Sequence, residues 1–320
     1  SGEQGGSGFR KEVSTRLRVM SWNVLCDGLS GSHPDRGGFI MAPEGSLVWE
    51  KRRWKILEEI LRWDCDLLAL QEVDHHHDWL SPMLAKNGYR SFFVKKPIAP
   101  GHAYDPALED GCSLFYRAED PEAGKGNGGG LSSTLELLDA HSFTFAVAEH
   151  PDEGPAGNDA RSSVQRGDSE GDSLLVVATT HLKAAKNRHG EIIRARQVTR
   201  RGRGLSPESI PLVITGDFNA TPHLAPDGRG GSYEPMCYRR VMSHPLALRS
   251  AFDVENTFTT WKIRPAQFKE SRHCIDYMWI SRGVRAVRRS TLPSEEGLGP
   301  RRAPSLVYPS DHFAIAADLR

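Results

Sequence analysis

The sequence predicts an α/β protein with mixed sheets, and three features point to that class. The first is a set of short apolar runs, of which DLLALQ (66–71) has the pattern of a strand buried on both faces. The second is a 15-residue segment, 49–63, whose apolar residues recur at helical spacing. The third is the succession of strand-like runs YRSFFV and GCSLFYR, which calls for hairpins beside the strand–helix alternation.

Taken in order, residues 1–15 are Gly/Ser-rich and read as a flexible leader before a strand, RLRVMSW, that ends at Asn23. In WEKRRWKILEEILRW, Trp54, Leu57 and Leu61 form a stripe that Ile56 and Ile60 widen, so the segment is an amphipathic helix. A second helix is expected over 79–87, stopping at Gly88. LELLDAHSFTFAVA reads as one long or bent strand between two polar, Gly-rich loops, 121–130 and 150–173. The second loop is a hairpin insertion with a disordered composition; strands continue on both sides, so residues 16–320 form a single domain. GEIIRARQVTRR and YEPMCYRRVM read as helices; LLVVATT, PLVITG, CIDYMWIS and HFAIAADL read as strands.

Composition narrows the function. With 41 basic and 41 acidic side chains, no whole-protein field draws in a long polyanion, which argues against a dedicated nucleic-acid coat. No apolar run reaches the 18 or so residues of a membrane span. Five scattered cysteines without CxxC spacing suit reduced thiols in a cytosol-like compartment. The chain starts at Ser1, so an organellar targeting peptide would lie outside it. Nothing suggests a coiled coil, and a monomer is expected.

The chemistry-bearing residues sit at strand exits: Asn23, Glu72, His181, Asp217, Asn219 and the pair Asp311–His312. Strand ends let a sheet converge side chains on one cleft. The set is rich in oxygen and nitrogen and lacks thiolate, which suits Mg²⁺ or Mn²⁺. Glu72 is the expected principal ligand; Asp217 and Asn219, two apart on a turn, can orient a water; Asp276 can pair with His312 and favour its imidazolium.

SWNVL, LQEVD, THLKA, GDFNATP, IDYMW and YPSDHF, in this order from about residue 18 to the end, resemble the endonuclease/exonuclease/phosphatase superfamily. TFTTWKIR, SRHCIDYMWIS and LPSEEGLGPRRAPSLVYPSDH resemble a subgroup related to the Ccr-type deadenylases. The resemblance implies a two-sheet mixed β-sandwich flanked by helices, four layers in all, with a Mg²⁺ site at one end. It implies Glu72 as metal ligand with Asp311 in the metal's outer environment. Asn23 and His181 would hold phosphoryl oxygens, Asp217 and Asn219 would position water and phosphate, and Asp276 would couple to His312. Lys96, Lys183 and Arg264 would form a basic rim around a phosphorylated substrate, with Trp261 in the substrate loop. The implied activity is removal of the 2′-phosphate of NADP⁺ or NADPH. The alternatives are a poly(A) 3′-exoribonuclease, with RNA as partner, and an inactive RNA-decay scaffold. The chain departs from the subgroup at Ala185, where a base is usual; the base follows as Lys186.

Blander readings are preferred elsewhere. The run His75, His76, His77 is expected at the surface of a helix start, and the basic run 194–203 on a solvated helix face. Trp22, Trp49, Trp54, Trp63 and Trp79 are expected to fill the core, and Cys274 to be a small buried residue.

Overall fold

The computed structural model describes residues 16–97, 99, 109–118, 135–145, 156–165, 174–198, 211–226, 231–264 and 269–320. The expected leader, the 121–130 loop and the end of the basic run, 199–203, lie outside the described residues.

Strand alternation assigns side chains to layers. In β1 (Leu17–Asn23) and β2 (Leu67–Val73), Val19, Leu67 and Ala69 enter one apolar cluster, while Met20, Trp22, Leu68 and Leu70 enter another. With both faces buried, the run reads as continuously apolar. The first sheet runs β15 (Ala286–Arg289), β16 (Ile315–Leu319), β1, β2, β4 (Gly111–Arg117), β3 (Tyr89–Lys95). The second runs β11 (Arg249–Ser250), β14 (Asp276–Ile280), β8 (Leu212–Asp217), β7 (Leu174–His181), β6 (Ala156–Gln165), β5 (Glu136–Phe145). The two share a pairing pattern: one parallel pair, β1–β2 or β7–β8, flanked by antiparallel neighbours.

Val19, Leu67 and Ala69 meet Val177, Val213, Met278 and Ile280 between the sheets. Outside the first sheet, α1 (Trp49–Trp63) lays Ile56, Leu57 and Ile60 on Met20, Leu68 and Leu70, with α2 (Ser81–Ala85) adding Leu84. Outside the second, α3 (Arg188–Gln197) and α4 (Met236–Met242) form the cover, where Cys237 and Val241 meet Leu212 and Trp279. The expected two-sheet, helix-flanked α/β sandwich is observed. Short pieces complete it: β9 (Ala225–Pro226) with β10 (Ser232–Tyr233), the hairpin β12 (Thr260–Arg264) with β13 (Lys269–His273), and α5 (Glu295–Leu298).

Several local expectations are corrected. The 150–173 segment contains β6, which pairs with β5 and β7. Ladder bonds are made by backbone, so a polar sequence can supply a strand; the rest of that segment lies outside the described residues. Helix α1 turns Trp54 and Leu61 outward and buries Arg52 instead. Arg52 donates to the carbonyls of Val24, Leu25 and Pro309, at 3.0–3.3 Å, joining the exit of β1 to the turn before His312. The second helix begins earlier than expected, with a π-helical turn over His76–Leu80. His76 is buried there, stacked on Phe93 and bonded to Ser113 at 2.9 Å. His75 stacks on Trp49. All five cysteines are buried free thiols. Among the described residues no helix is long and apolar enough to cross a membrane.

Candidate active site

Register gathers the polar strand exits. Asn23 lies beside Gln71 in the parallel β1–β2 pair, and His181 beside Asp217 in the parallel β7–β8 pair. Asp276 lies opposite Asp217 across β8 and β14. Asn23 and Glu72 thus come from one sheet, and His181, Asp217 and Asp276 from the other.

Two strained residues aim the site. Glu72 has φ +56° within an irregularity of the β2–β4 ladder, and Asn219 has φ +50° just past β8. A bulge re-aims a side chain that regular alternation would send elsewhere, and left-handed non-glycine backbone costs on the order of 1–3 kcal/mol. Gly216 (φ +140°) allows the close approach below the cluster: a Cβ there would lie 2.0 Å from the Thr180 carbonyl oxygen.

The Asn23 amide bridges the sheets, donating to Glu72 Oε1 (3.0 Å) and Asp217 Oδ2 (3.1 Å). His181 Nε2 stands 3.5 Å from Asp217 and 3.7 Å from Glu72. Asn219 is fixed by its backbone N–H on Asp217 Oδ1 (2.8 Å) and its side chain on the Leu182 carbonyl (3.1 Å). His312 Nδ1 lies 2.9 Å from Asp276 Oδ2, and its Nε2 lies 3.8 Å from Asp217. Thr259, buried, donates to Asp276 at 2.5 Å and accepts from its backbone N–H at 3.0 Å.

Asp311, buried beside His312, pairs with Lys262 and, at 3.4 Å, with Arg264. Lys96 lies 3.4 Å from Asp110 and acts on Glu72.

The protonation states follow from these neighbours. Burial alone would raise the Glu72 carboxyl; the Lys96 charge and the Asn23 hydrogen bond oppose it, and Glu72 is held below its ordinary value. Burial, then Lys96, pushes His181 down to about 3, so it is neutral and its contacts with Glu72 and Asp217 are not ion pairs. Burial and the Asp276 charge raise Asp217 to about 7. Burial opposes a charge on His312, but Asp276, Asp311 and Asp217 raise it to about 9. Burial would raise Asp311 too, yet Lys262 and His312 hold it well below the carboxylate range.

Glu72, His181 and Asp217 offer ligand atoms within 4.8 Å of one another, as do Asp217, Asp276 and His312. A divalent cation fits this set: three buried carboxylates converge with two imidazoles, an oxygen- and nitrogen-donor set suited to a hard cation. Asp311 belongs to neither group; its carboxylate is held by Lys262.

Of the expected rim, Lys96 and Arg264 reach the site, whereas Trp261 does not. Alternation along β12 puts Thr260, Lys262 and Arg264 on one face and Trp261 on the other. The Trp261 indole is buried, bonded to Glu270 and covered by Arg272 and Arg302 at 4.5 and 4.3 Å. Its TTWKIR segment is a strand rather than a loop. For Lys183 the structure records anchored backbone; Lys186 is the lysine of that segment brought toward Lys262 and Arg264. Lys262 and Thr259 were missed by sequence reasoning. Lys262 lies two residues from Arg264, so strand periodicity would have found it.

Residues 20–312 match the Endonuclease/Exonuclease/phosphatase family. The chain belongs to that family. It is 34% identical to Nocturnin of Xenopus laevis, over 97% of this chain and 75% of that protein. It is 32% identical to human Nocturnin, over 95% of this chain and 65% of that protein. The Neurospora crassa CCR4-Not complex 3′-5′-exoribonuclease subunit Ccr4 is 26% identical over 95% of this chain and 45% of its own length. Among solved structures, the human Nocturnin catalytic domain with bound sulfate anion superimposes with a TM-score of 0.66 and 26% identity, covering 95% of this chain and 94% of that one. The 2′,3′-cyclic phosphatase ANGEL2 has the same fold, with a TM-score of 0.65 and 22% identity, covering 95% of each chain. The chain is thus a nocturnin-like hydrolase.

Proposed function

We propose that this chain is a Mg²⁺-dependent phosphatase, with Mn²⁺ as a substitute metal, that removes the 2′-phosphate of NADP⁺ or NADPH. The observation that carries it is one buried cluster of Glu72, Asp217, Asp276 and His312, edged among the described residues by a few cations. Lys262 is already paired with Asp311, and Lys96 with Asp110, so the cleft suits a compact phosphoester better than a long polyanion. Similarity to a Nocturnin domain solved with sulfate, a phosphate analogue, supports a phosphoryl site.

Glu72, with Asp217 adjoining, would hold the cation, which when bound supplies Lewis acidity worth several kcal/mol. Asn23 and His181 offer N–H groups to the phosphoryl oxygens. Asp217 and Asn219 align water for attack opposite the ribose 2′-oxygen. The His312 imidazolium, held by Asp276, stabilises charge developing on phosphorus as the P–O bond breaks.

A second reading, a poly(A) 3′-exoribonuclease working from the same site, draws on the Ccr4 similarity. The test is phosphate release from NADPH beside oligo(A) shortening, with Mg²⁺ and with Glu72→Ala as the control. Glu72→Ala is expected to lose at least about 10³-fold in turnover while remaining folded. Release from NADPH with oligo(A) intact supports the phosphatase; ladder-like, salt-sensitive shortening with NADPH untouched replaces it with the nuclease.

A further inference from the structure

A fully buried ion pair that no step above uses lies behind the segment after His181. Arg194 donates to Glu191 Oε2 from Nε (3.0 Å) and Nη2 (2.7 Å), and neither side chain is more than 1% exposed. The same guanidinium donates from Nη1 to the carbonyls of Lys183 (2.7 Å) and Ala185 (2.8 Å). Glu191 Oε1 in turn accepts from the Cys237 backbone N–H at 2.7 Å, tying the pair to α4. The basic run expected on a solvated face therefore begins with a buried arginine that grips backbone.

The segment is closed from both ends. Asn187 caps α3 by accepting from the Gly190 N–H at 2.7 Å. Gly190 presses on Ala185: a Cβ built at Gly190 would lie 2.2 Å from the Ala185 oxygen and 2.8 Å from its Cβ. Residue 185 is packed against α3, whereas Lys186 is exposed and near enough to Lys262, Arg264 and Asp311 for their charges to act on its ammonium. Desolvation at the mouth, then repulsion from Lys262 and Arg264, lowers the Lys186 ammonium to about 8. Among the described residues Lys186 forms no ion pair, whereas Lys262 and Arg264 already share Asp311.

We propose that the buried Arg194–Glu191 pair is a positioning couple that fixes residues 183–187, and that Lys186, so fixed, recognises a second phosphoryl group of the substrate. This rests on the dinucleotide phosphatase reading. The scissile phosphate belongs with the buried groups at the cleft floor, so an exposed cation at the mouth meets what extends outward: the bridging pyrophosphate. Arg194 touches no substrate and acts through Lys186.

The test compares KM and kcat for NADPH and for adenosine 2′-monophosphate, which has the ester but no pyrophosphate. Lys186→Ala is expected to raise KM for NADPH about tenfold, with kcat changing less than about twofold and adenosine 2′-monophosphate little affected; Lys186→Arg restores KM. Arg194→Lys keeps a charge for Glu191 but cannot reach both carbonyls, and is expected to raise the NADPH KM in the same way. In the Lys186→Ala/Arg194→Lys double variant the two effects do not add, because one works through the other. An unchanged NADPH KM in Lys186→Ala, or an equal loss on both substrates, overturns the assignment to Lys186. Additive effects overturn the coupling to Arg194. If the wild type leaves NADPH untouched and shortens oligo(A), the phosphatase reading falls by itself. The same KM comparison on oligo(A) then decides whether Lys186 contacts a second phosphate.

Discussion

At the scale of single residues, charge compensation governs what each group can do. His312 is the clearest titration: its reference value is about 6.5, and in the folded chain Asp276, Asp311 and Asp217 overcome burial to raise it to about 9. A base raised on folding stabilises the fold fully below about pH 6.5, and that contribution is lost as pH rises through about 9. In metal-free buffer the Tm advantage of the wild type over His312→Gln should therefore shrink between pH 6 and 10; a constant difference would contradict the pairing. Trp261 carries a second expectation. Trp261→Phe removes the bond to Glu270 and should cost about 1 kcal/mol in urea unfolding, yet leave KM alone, because the ring faces away from Lys262. Most of the cluster was legible because its residues follow apolar strands at recognisable motifs. Trp261 was expected at the substrate and Lys262 was missed, since composition names a basic or aromatic residue but only strand phase says which face it takes.

Elements set those residues in place, and there local sequence was legible where burial was continuous. The long helix, β1, β2, β7 and β8 follow from their apolar runs. The sequence hid β6, whose ladder depends on its two neighbours rather than on its own composition. Ile56, Leu57 and Ile60 of the buried face of α1 were legible, but Arg52 was hidden, since it gains three carbonyl partners from distant segments that no periodicity reports. The junction of β7 and β8 makes a sharp prediction. Gly216→Ala places a methyl group against the Thr180 carbonyl, and should cost about 3 kcal/mol by overpacking. Because His181 and Asp217 follow directly, turnover should fall as well. A Tm and a kcat both unchanged would show that the strands separate there at little cost.

The whole molecule is two sheets of like pairing pattern, pressed together through Val19, Leu67, Val177, Val213 and Met278. This shared interior predicts one cooperative transition: far-ultraviolet dichroism and tryptophan fluorescence should report the same midpoint in urea. Separate midpoints would mean that each sheet melts alone. The overall architecture was legible through the resemblance of spaced motifs, whereas the equivalence of the two sheets was not, since it is a likeness of hydrogen-bond direction with no matching letters. The Asn23 amide, spanning Glu72 on one sheet and Asp217 on the other, carries a consequence for a chain that is still maturing. A half-assembled molecule owns half a reaction centre and has nothing to cleave with. On the phosphatase reading, activity would therefore appear only once the two sheets have docked.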